Sequence, residues 1–407
     1  MSSGFAVIVD PYSSGVLVTQ EFKRRGVDYL IVQSTPVVPE IYRSSAEPDE
    51  SAVTILHNGN LAQTLAELRQ FPVQCVIPGC DLGVGLADEL GEGLGLPGND
   101  PHLKQARLSK FLMTERVREQ GLRVPAQFQS VSRDEILAWA RFQNRFPLVL
   151  KPLNSTSSDG VYICSSDREI RDAFDRIISK TNVLGRNNRA ALVQEFLDGT
   201  EYFVDTVSFA GQHRAAAFWK YRKSNSDVLA GPECIEHLPY HGEIQQALFA
   251  YAQRVLDALG LRYGAAHIEI MWCDGEPILI ELGARVNGGK NPLISLECTG
   301  NSQIQLLADA YLESERFCDE ISVPYSFQKS GMRVFLIPRC KGEYRNVDAL
   351  KEPRALASFH EMYVGSRTSW DAPRRIGWVI LVHADADVVE RDFRRIRELE
   401  ETEIYTR

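Results

Sequence analysis

Two kinds of apolar pattern run along this chain, and their order predicts its layers. In the first hundred residues, FAVIVD (5–10), VDYLIV (27–32) and VQCVIPG (73–79) are short, mostly apolar runs. They alternate with amphipathic stretches, VLVTQEFKRRG (16–26) and LAQTLAELRQF (61–71). Strands that are apolar on both sides are covered on both sides, so a small parallel α/β sheet with helices on both faces is expected. Asn99-Asp100-Pro101 offers a cap followed by proline, opening a helix expected to end near Gly121. From about 125 the pattern becomes β-rich, with strands expected near 147–151, 161–164, 191–196, 202–209, 213–221, 264–272 and 277–282. Helices near 133–142, 167–179 and 243–259 lie between them, so this is an α+β region. The tail mixes strands (331–337, 376–384) with a final helix (385–400).

Composition narrows the class of protein. A length of 407 residues suggests about two or three domains. Lys and Arg number 45 against 54 Asp and Glu, a formal net charge of −9, which argues against a general nucleic-acid surface. No apolar run reaches the roughly 18 residues of a membrane span, and MSSGFAVIVDP runs straight into a strand, so no leader is expected. The cysteines at 75, 80, 164, 234, 273, 298, 318 and 340 are scattered, with no C-x-x-C. They read as reduced, mostly buried thiols of a cytoplasmic protein, not as a zinc site or disulfide frame.

Two glycine-rich stretches fail as nucleotide motifs. Gly93-Leu-Gly95-Leu-Pro-Gly98 fits G-x-G-x-x-G but follows a helical stretch and places Pro97 where a helix should begin. Ala284 to Lys290 lacks both the first glycine and the final Ser/Thr of a P-loop.

The chemistry concentrates in HIEIMWCDGEPILIELGARVNGG (267–289). Alternation puts His267, Glu269 and Met271 on one face of a strand, and Leu279, Glu281 and Gly283 on one face of the next. With a loop of Asp274-Gly275-Glu276, Glu269 and Glu281 fall opposite each other, Cβ atoms roughly 5 Å apart. Like charges so placed repel unless something sits between them. Either Glu281 and Arg285 satisfy each other, or a divalent cation bridges the glutamates; hard oxygen ligands suit Mg²⁺. A surface hairpin with solvated glutamates is the plain alternative.

Two further segments carry candidate ligand contacts. In FPLVLKPLNSTSSDGVYI (146–163), Lys151 ends an apolar strand, and the small polar run Asn154–Gly160 could aim backbone N–H groups at phosphate oxygens. A hairpin loop with a snorkelling lysine is the alternative. In VQEFLDGTEYFVD (193–205), Glu195-Phe196-Leu197 would expose backbone groups to an adenine edge, and Glu201 could reach ribose hydroxyls. Taken alone, that segment reads as an amphipathic strand and a solvated turn.

Lys110 in LSKFLMTERVREQGLRVP, Lys151 in the LKP strand, the small-residue loop, QEFLDGTEY, HIE and IELGAR stand in the order and spacing of the ATP-grasp superfamily, which the chain resembles. The resemblance covers about 100–310. The ELGAR–GG ending and AFWKYRKSNS (217–226) look most like the L-amino-acid ligases, the dipeptide synthetases, including those of antibiotic biosynthesis. It implies an N-terminal Rossmann-like domain (1–100), an ATP-grasp domain (101–312, with a small ATP lobe at about 125–192) and a C-terminal α+β part (313–407). It implies that Lys110 and Lys151 hold ATP phosphates under a loop of Ser155, Thr156, Ser157, Ser158 and Gly160. Gln194, Glu195, Phe196 and Leu197 would frame the adenine, and Glu201 the ribose. Glu269 and Glu281 would hold Mg²⁺, as two ions, with Mn²⁺ as a substitute. Arg285, Gly288 and Gly289 would face the substrate carboxylate or acyl phosphate, with Lys223, His237 and His267 as further substrate or base candidates.

One departure stands out. Many such enzymes carry Asn two residues after the second metal glutamate, and here it is Gly283, so the ligand is missing or water or Asn287 replaces it. The implied activity is ATP-dependent amide-bond formation between amino acids or related carboxylates and amines, through an acyl phosphate. A carboxylase or purine-pathway ligase, acting through carboxyphosphate or formyl phosphate, and a nucleotide-binding module without turnover are the alternatives. The implied partners are small molecules, with no nucleic acid or membrane and a homodimer compatible.

Overall fold

The computed structural model describes residues 4–46, 49, 52–223, 232–338, 342–343, 347–365, 369–370 and 375–405. Its first sheet is parallel, in the order β3-β2-β1-β4, built from β1 (Phe5–Val9), β2 (Tyr29–Gln33), β3 (Val53–Leu56) and β4 (Val73–Pro78). Ala6 and Ile8 pack with Val18 and Phe22 of α1 (Gly15–Arg24). Val7 and Val9 pack on the other face, with Leu65 and Leu68 of α2 (Leu61–Leu68) and Leu86 and Leu90 of α3 (Val84–Gly93). Both faces are dry, which is why β1 is apolar throughout. The pattern missed β3: it lies at the sheet edge, and only Ile55 of its four residues is buried.

The expected helix from 99 to 121 is broken. Asp100 caps a short turn (Pro101–Leu103), α4 follows (Lys104–Leu108), and α5 (Lys110–Glu119) starts afresh after Ser109. Ser109 is extended, and its hydroxyl caps α5 by accepting from the Leu112 N–H. A serine cap outcompetes helix continuation here. The break makes Lys110 the first helical residue, with its N–H donated to the Leu153 carbonyl.

The next sheet is antiparallel, in the order β5-β8-β6-β7: β5 (Gln127–Ser130), β6 (Leu148–Pro152), β7 (Tyr162–Cys164) and β8 (Ala191–Glu195). One face is closed by α6 (Arg133–Gln143) and α7 (Asp167–Ile178) through Ile136, Leu137, Ile170 and Phe174. The other, carrying Val149, Lys151, Ile163 and Gln194, lines a cleft.

The far wall of the cleft is an eight-stranded sheet, in the order β13-β12-β9-β10-β11-β14-β18-β16. Its strands are β9 (Thr200–Phe209), β10 (Gln212–Lys223), β11 (Pro232–Leu238), β12 (Gly264–Cys273), β13 (Glu276–Gly283), β14 (Ser330–Leu336), β16 (Phe359–Val364) and β18 (Gly377–His383); β15 (Gly342–Glu343) and β17 (Ser369–Trp370) form a separate ribbon. The C-terminal strands thus extend the central sheet. Helix α8 (Glu243–Ala258) covers one end, and α12 (Ala386–Leu399) packs on β14 and β18. After α9 (Asn291–Thr299), α10 (Gln303–Leu312) packs against both α1 and β9, joining the first sheet to the large one before α11 (Ser314–Asp319). Among the described residues no helix is long and apolar enough to cross a membrane.

Candidate active site

The β12–β13 hairpin aligns Glu269 with Glu281, by a route the alternation did not predict. Cys273 pairs with Glu276, so the loop is the two residues Asp274-Gly275, and a bulge between Glu269 and Ile270 adds the missing residue on β13. The bulge also corrects the face assignment. Leu279 points into the core, whereas Ile280 and Glu281 line the cleft with Glu269. A bulge re-aims the side chains beyond it.

Each glutamate already has a cationic partner. Lys110 Nζ pairs with Glu281. Glu269 receives Tyr221 Oη at 3.1 Å and faces His267 Nε2 at 3.3 Å. Burial alone would raise the Glu269 pKa, but His267 and Lys110 hold it below the ordinary carboxylate value. Two facing carboxylates on rigid strands fit Mg²⁺, which takes few protein ligands and fills its octahedron with phosphate oxygens and water.

Arg285 does not satisfy Glu281. Its Nε donates to Asp81 Oδ1 at 3.0 Å and its Nη1 to the Val286 carbonyl at 3.1 Å. Burial would lower the Arg285 pKa, but Asp81 raises it, and Asp81 is held low in turn by Arg285 against its own desolvation. Gly283 now has a reason. A Cβ there would lie 3.2 Å from Arg285 Cζ, so the guanidinium occupies the space of the absent asparagine side chain. Asn287 does not take that asparagine's place in this arrangement: its amide donates to Asp205 Oδ2 at 2.7 Å and its Oδ1 accepts from Asn291. Asp205 also accepts from Trp219 Nε1 at 2.8 Å and lies 2.9 Å from His267 Nδ1. Burial would lower the His267 pKa, but the bonds to Asp205 and Glu269 raise it to about 9.

Across the cleft, Lys151 is buried, and desolvation followed by the neighbouring Lys110 lowers its pKa to about 8. The loop beyond it turns through Ser157 and Ser158, both at φ 58°, and Gly160 at φ 70°. Left-handed serines are uncommon and mark a locally constrained loop. Asp159 holds it, accepting from Ser155 Oγ at 2.7 Å and the Val183 N–H at 3.1 Å, while Thr156 Oγ1 donates to Asp81 at 3.3 Å. Asp81 therefore joins the loop to Arg285.

Gln194, Glu195, Phe196 and Leu197 line the other end of the cleft with Glu201. The Glu195 carboxylate turns away, accepting from the Ala126 N–H and from Arg145 at 2.8 Å, so its backbone is what the cleft sees. Glu201 is paired with Lys223 at 2.7 Å, and its pKa is raised by desolvation and then by Glu269. Lys223 is thus engaged with Glu201, and the rest of its segment, 224–231, lies outside the described residues.

Of the residues singled out in the sequence, His237 is not brought to the cleft. It stacks 5.4 Å from Phe327 and meets Trp219 edge-on at 4.5 Å, neither ring nitrogen has a hydrogen-bond partner among the described residues, and burial lowers its pKa to about 3. It was a base or substrate candidate; β11 buries it among aromatic rings instead. Gly160 turns the loop without lining the cleft. The remaining residues, Gly288 and Gly289 included, share one cleft of about 570 Å³. The sequence reading missed Asp81, Tyr221, Arg333 and Arg375, which line it too. Asp81 was findable, because ligands gather at the carboxyl ends of parallel strands and it follows β4. Arg333, a lone cation in the apolar strand SGMRVFL, was a weaker signal.

This constellation is that of an ATP-grasp protein. Residues 144–292 match the ATP-grasp domain family. Dapdiamide A synthase of Enterobacter agglomerans is 34% identical over 325 residues, 79% of this chain and 76% of that protein. The chain belongs to the ATP-grasp family, whose ligases are enzymes that use ATP and, in general, Mg²⁺. The fold agrees. The L-amino acid ligase from Bacillus licheniformis superposes with a TM-score of 0.75 at 19% identity over 97% of each chain. A carboxyaminoimidazole ribonucleotide synthase from Aspergillus clavatus, complexed with ATP, gives 0.72 at 14% identity over 98% of this chain and 99% of that one.

Proposed function

We propose that this enzyme joins the carboxylate of an amino acid, or a close relative of one, to the amine of a second amino acid, with ATP cleaved to ADP and phosphate. The carboxylate oxygen attacks the γ-phosphorus, the bond to the ADP oxygen breaks, and an acyl phosphate forms. The amine nitrogen then attacks the acyl carbon, the bond to phosphate breaks, and the nitrogen loses a proton.

The observation that carries this reading is one cleft that holds facing glutamates, two lysines and an arginine poised over a glycine. In it, Lys151 and Lys110 meet nucleotide phosphates beneath the 155–160 loop, and the backbone of 195–197 with Glu201 and Lys223 takes the nucleoside. Mg²⁺ held by Glu269 and Glu281, as two ions that Mn²⁺ can replace, would neutralise phosphate charge. Arg285 holds the developing oxyanion, since a preorganised fork costs no reorganisation when the charge appears. His267 positions Glu269. We place the domain divisions near 100 and 312, with the small lobe at about 125–192, and the location in the cytoplasm, where thiols such as the buried Cys75 and Cys298 stay reduced. The kinship to dapdiamide A synthase favours amino-acid ligation over carboxylation of a nucleotide.

A phosphate-release screen over amino-acid pairs, followed by mass spectrometry, tests the reading. A dipeptide or other amide product is expected. ATP turnover that stays flat across all pairs, or a carboxylated nucleotide as product, would overturn it.

A further inference from the structure

Among the described residues, several buried or largely buried arginines have an acid at hand: Arg107 has Asp88, Arg214 has Glu320, Arg25 has Glu21 and Asp309, and Arg285 has Asp81. Arg333 and Arg375 are different. Among the described residues, no carboxylate lies within ion-pair distance of either, and the buried Nε of Arg333 has no hydrogen-bond partner. The polar contact of Arg333 is a long one, Nη1 to Asn291 Oδ1 at 3.4 Å. Both guanidiniums lie over the Phe335 ring, at 4.9 and 4.3 Å from its centroid, so the ring gathers two like charges in one place. Two neighbouring desolvated cations repel, and an anion between them reverses the sign.

Their position says which anion. Both line the same cleft as Glu269, Glu281 and Arg285. Arg333 runs over the turn that follows Arg285: a Cβ on Gly289 would come within 1.9 Å of its Nη1, so a side chain there would push the guanidinium aside. The pair is carried by β14 and by the residue two before β18, on the C-terminal side of the cleft, whereas the phosphate lysines come from α5 and β6. An anion here lies over the turn that follows Arg285, with Glu269 and Glu201 within electrostatic reach of Arg375.

We propose that Arg333 and Arg375 seat the α-carboxylate of the amine substrate, so that the enzyme selects a free amino acid, and not a simple amine, as nucleophile. This rests on the ligase reading above. Planar guanidiniums suit a carboxylate, which two can hold through paired N–H donors. With the carboxylate fixed there, the neighbouring amine is held toward the acyl group at Arg285. A carboxamide or ester of the same amino acid would leave the two cations unpaired.

The test separates activation from ligation. Wild type, Arg333→Gln and Arg375→Gln are assayed first with hydroxylamine, which traps the acyl phosphate as a hydroxamate whatever the natural amine. They are then offered the twenty protein amino acids, each against its α-carboxamide, with products read by mass spectrometry. Hydroxamate formation and the KM for ATP should stay within about 2-fold of wild type in the variants. KM for the amino-acid nucleophile should rise roughly 10- to 100-fold, and the preference for acid over carboxamide should collapse. A variant that keeps the wild-type melting temperature but loses hydroxamate formation, or weakens ATP, would overturn the proposal by giving these cations to activation. So would a wild-type enzyme that takes carboxamides as readily as acids. Arg375, the more exposed of the two, supplies the reading should Arg333→Gln fail to fold. No hydroxamate from wild type with any carboxylate would instead sink the ligase reading itself.

Discussion

Arg285→Lys separates a catalytic arginine from a structural one, and the structure sets the size of each effect. The guanidinium spends Nε on Asp81 at 3.0 Å and Nη1 on the Val286 carbonyl at 3.1 Å, and its third edge spans the space over Gly283. Lysine keeps the charge beside Asp81 but replaces a planar fork by one point of donation. The Arg285 and Asp81 side chains are 11% and 25% exposed, so the pair is partly screened. Losing one charge-assisted bond while keeping the charge should cost about 1–2 kcal/mol of stability, a few degrees in melting temperature. Loss of an oxyanion donor typically costs about 10²–10³ in kcat. ATP affinity should change little, because Lys110 and Lys151, the proposed phosphate contacts, are untouched. Measuring kcat, nucleotide affinity and melting temperature on one variant therefore gives a signature: a large fall in kcat, a small one in the others. Asp81→Asn added to Arg285→Lys removes the acid the lysine must neutralise. It should lower the melting temperature further, by leaving the lysine without its acid, and recover none of the kcat. Near-normal kcat with a lowered melting point would refute the catalytic reasoning and leave Arg285 as the counter-ion of Asp81.

Three further outcomes follow from the same geometry. Glu281→Gln should leave the protein folded, because loss of the facing charge at Glu269 offsets the partner lost by Lys110, to within about 1 kcal/mol. Turnover at limiting Mg²⁺ should nearly vanish; wild-type activity there would end the metal assignment. Residues 154–160, tied down chiefly by Asp159 and Asp81, should exchange amide hydrogens quickly in the free protein and slowly with an ATP analogue and Mg²⁺. Equal exchange in both states would count against the phosphate role. His237 has a folded pKa of about 3, below its unfolded value near 6.5, so the unfolded chain binds the extra proton between those values. Stability on its account is intact above pH 6.5 and falls as pH drops toward 3. His237→Phe should flatten that part of the melting-temperature profile and spare KM for every substrate, and an unchanged acid slope would contradict its burial as a neutral ring.

Period and turn signals carried the sequence reading as far as local structure decides position. The facing of Glu269 and Glu281 was legible because two errors cancelled: a loop read one residue too long and a bulge not foreseen give the same register. The face of Leu279 had no such protection and was read wrongly. Continuity of the 99–121 helix failed at one serine, whose hydroxyl competes with the helix for the same N–H groups. His237 and Lys223 show a different limit. Each lies on a strand next to polar residues, and only the sheet order decides that one meets aromatic rings and the other Glu201. Asp81, Arg333 and Arg375 come from segments about 50 to 205 residues away from the β12–β13 hairpin, and no local pattern ties them to it.

The two glycines flanking Arg285 in sequence show how the site is balanced. Gly283 makes room for the Arg285 guanidinium and Gly289 for that of Arg333, so each glycine exchanges a side chain for a cation drawn in from elsewhere. On the proposed reading, glycine at 283 offers no neutral metal ligand, so Glu269 and Glu281 alone would be the protein's share of the metal seat. Within the cleft, the chain's own pairs then consume charge of both signs: Glu281 with Lys110, Glu269 with His267, Glu201 with Lys223, Asp81 with Arg285. Among the described cleft residues, Lys151, Arg333 and Arg375 are cations without an acid at ion-pair distance, and burial depresses the pKa of all three. A desolvated cation that the protein does not pair is held for something that arrives with negative charge. Lys151 precedes the 154–160 loop and the arginines come from β14 and the approach to β18, so on the proposed reading the leftover charge marks two destinations: one for the nucleotide, and one for the carboxylate that is kept while the other is activated.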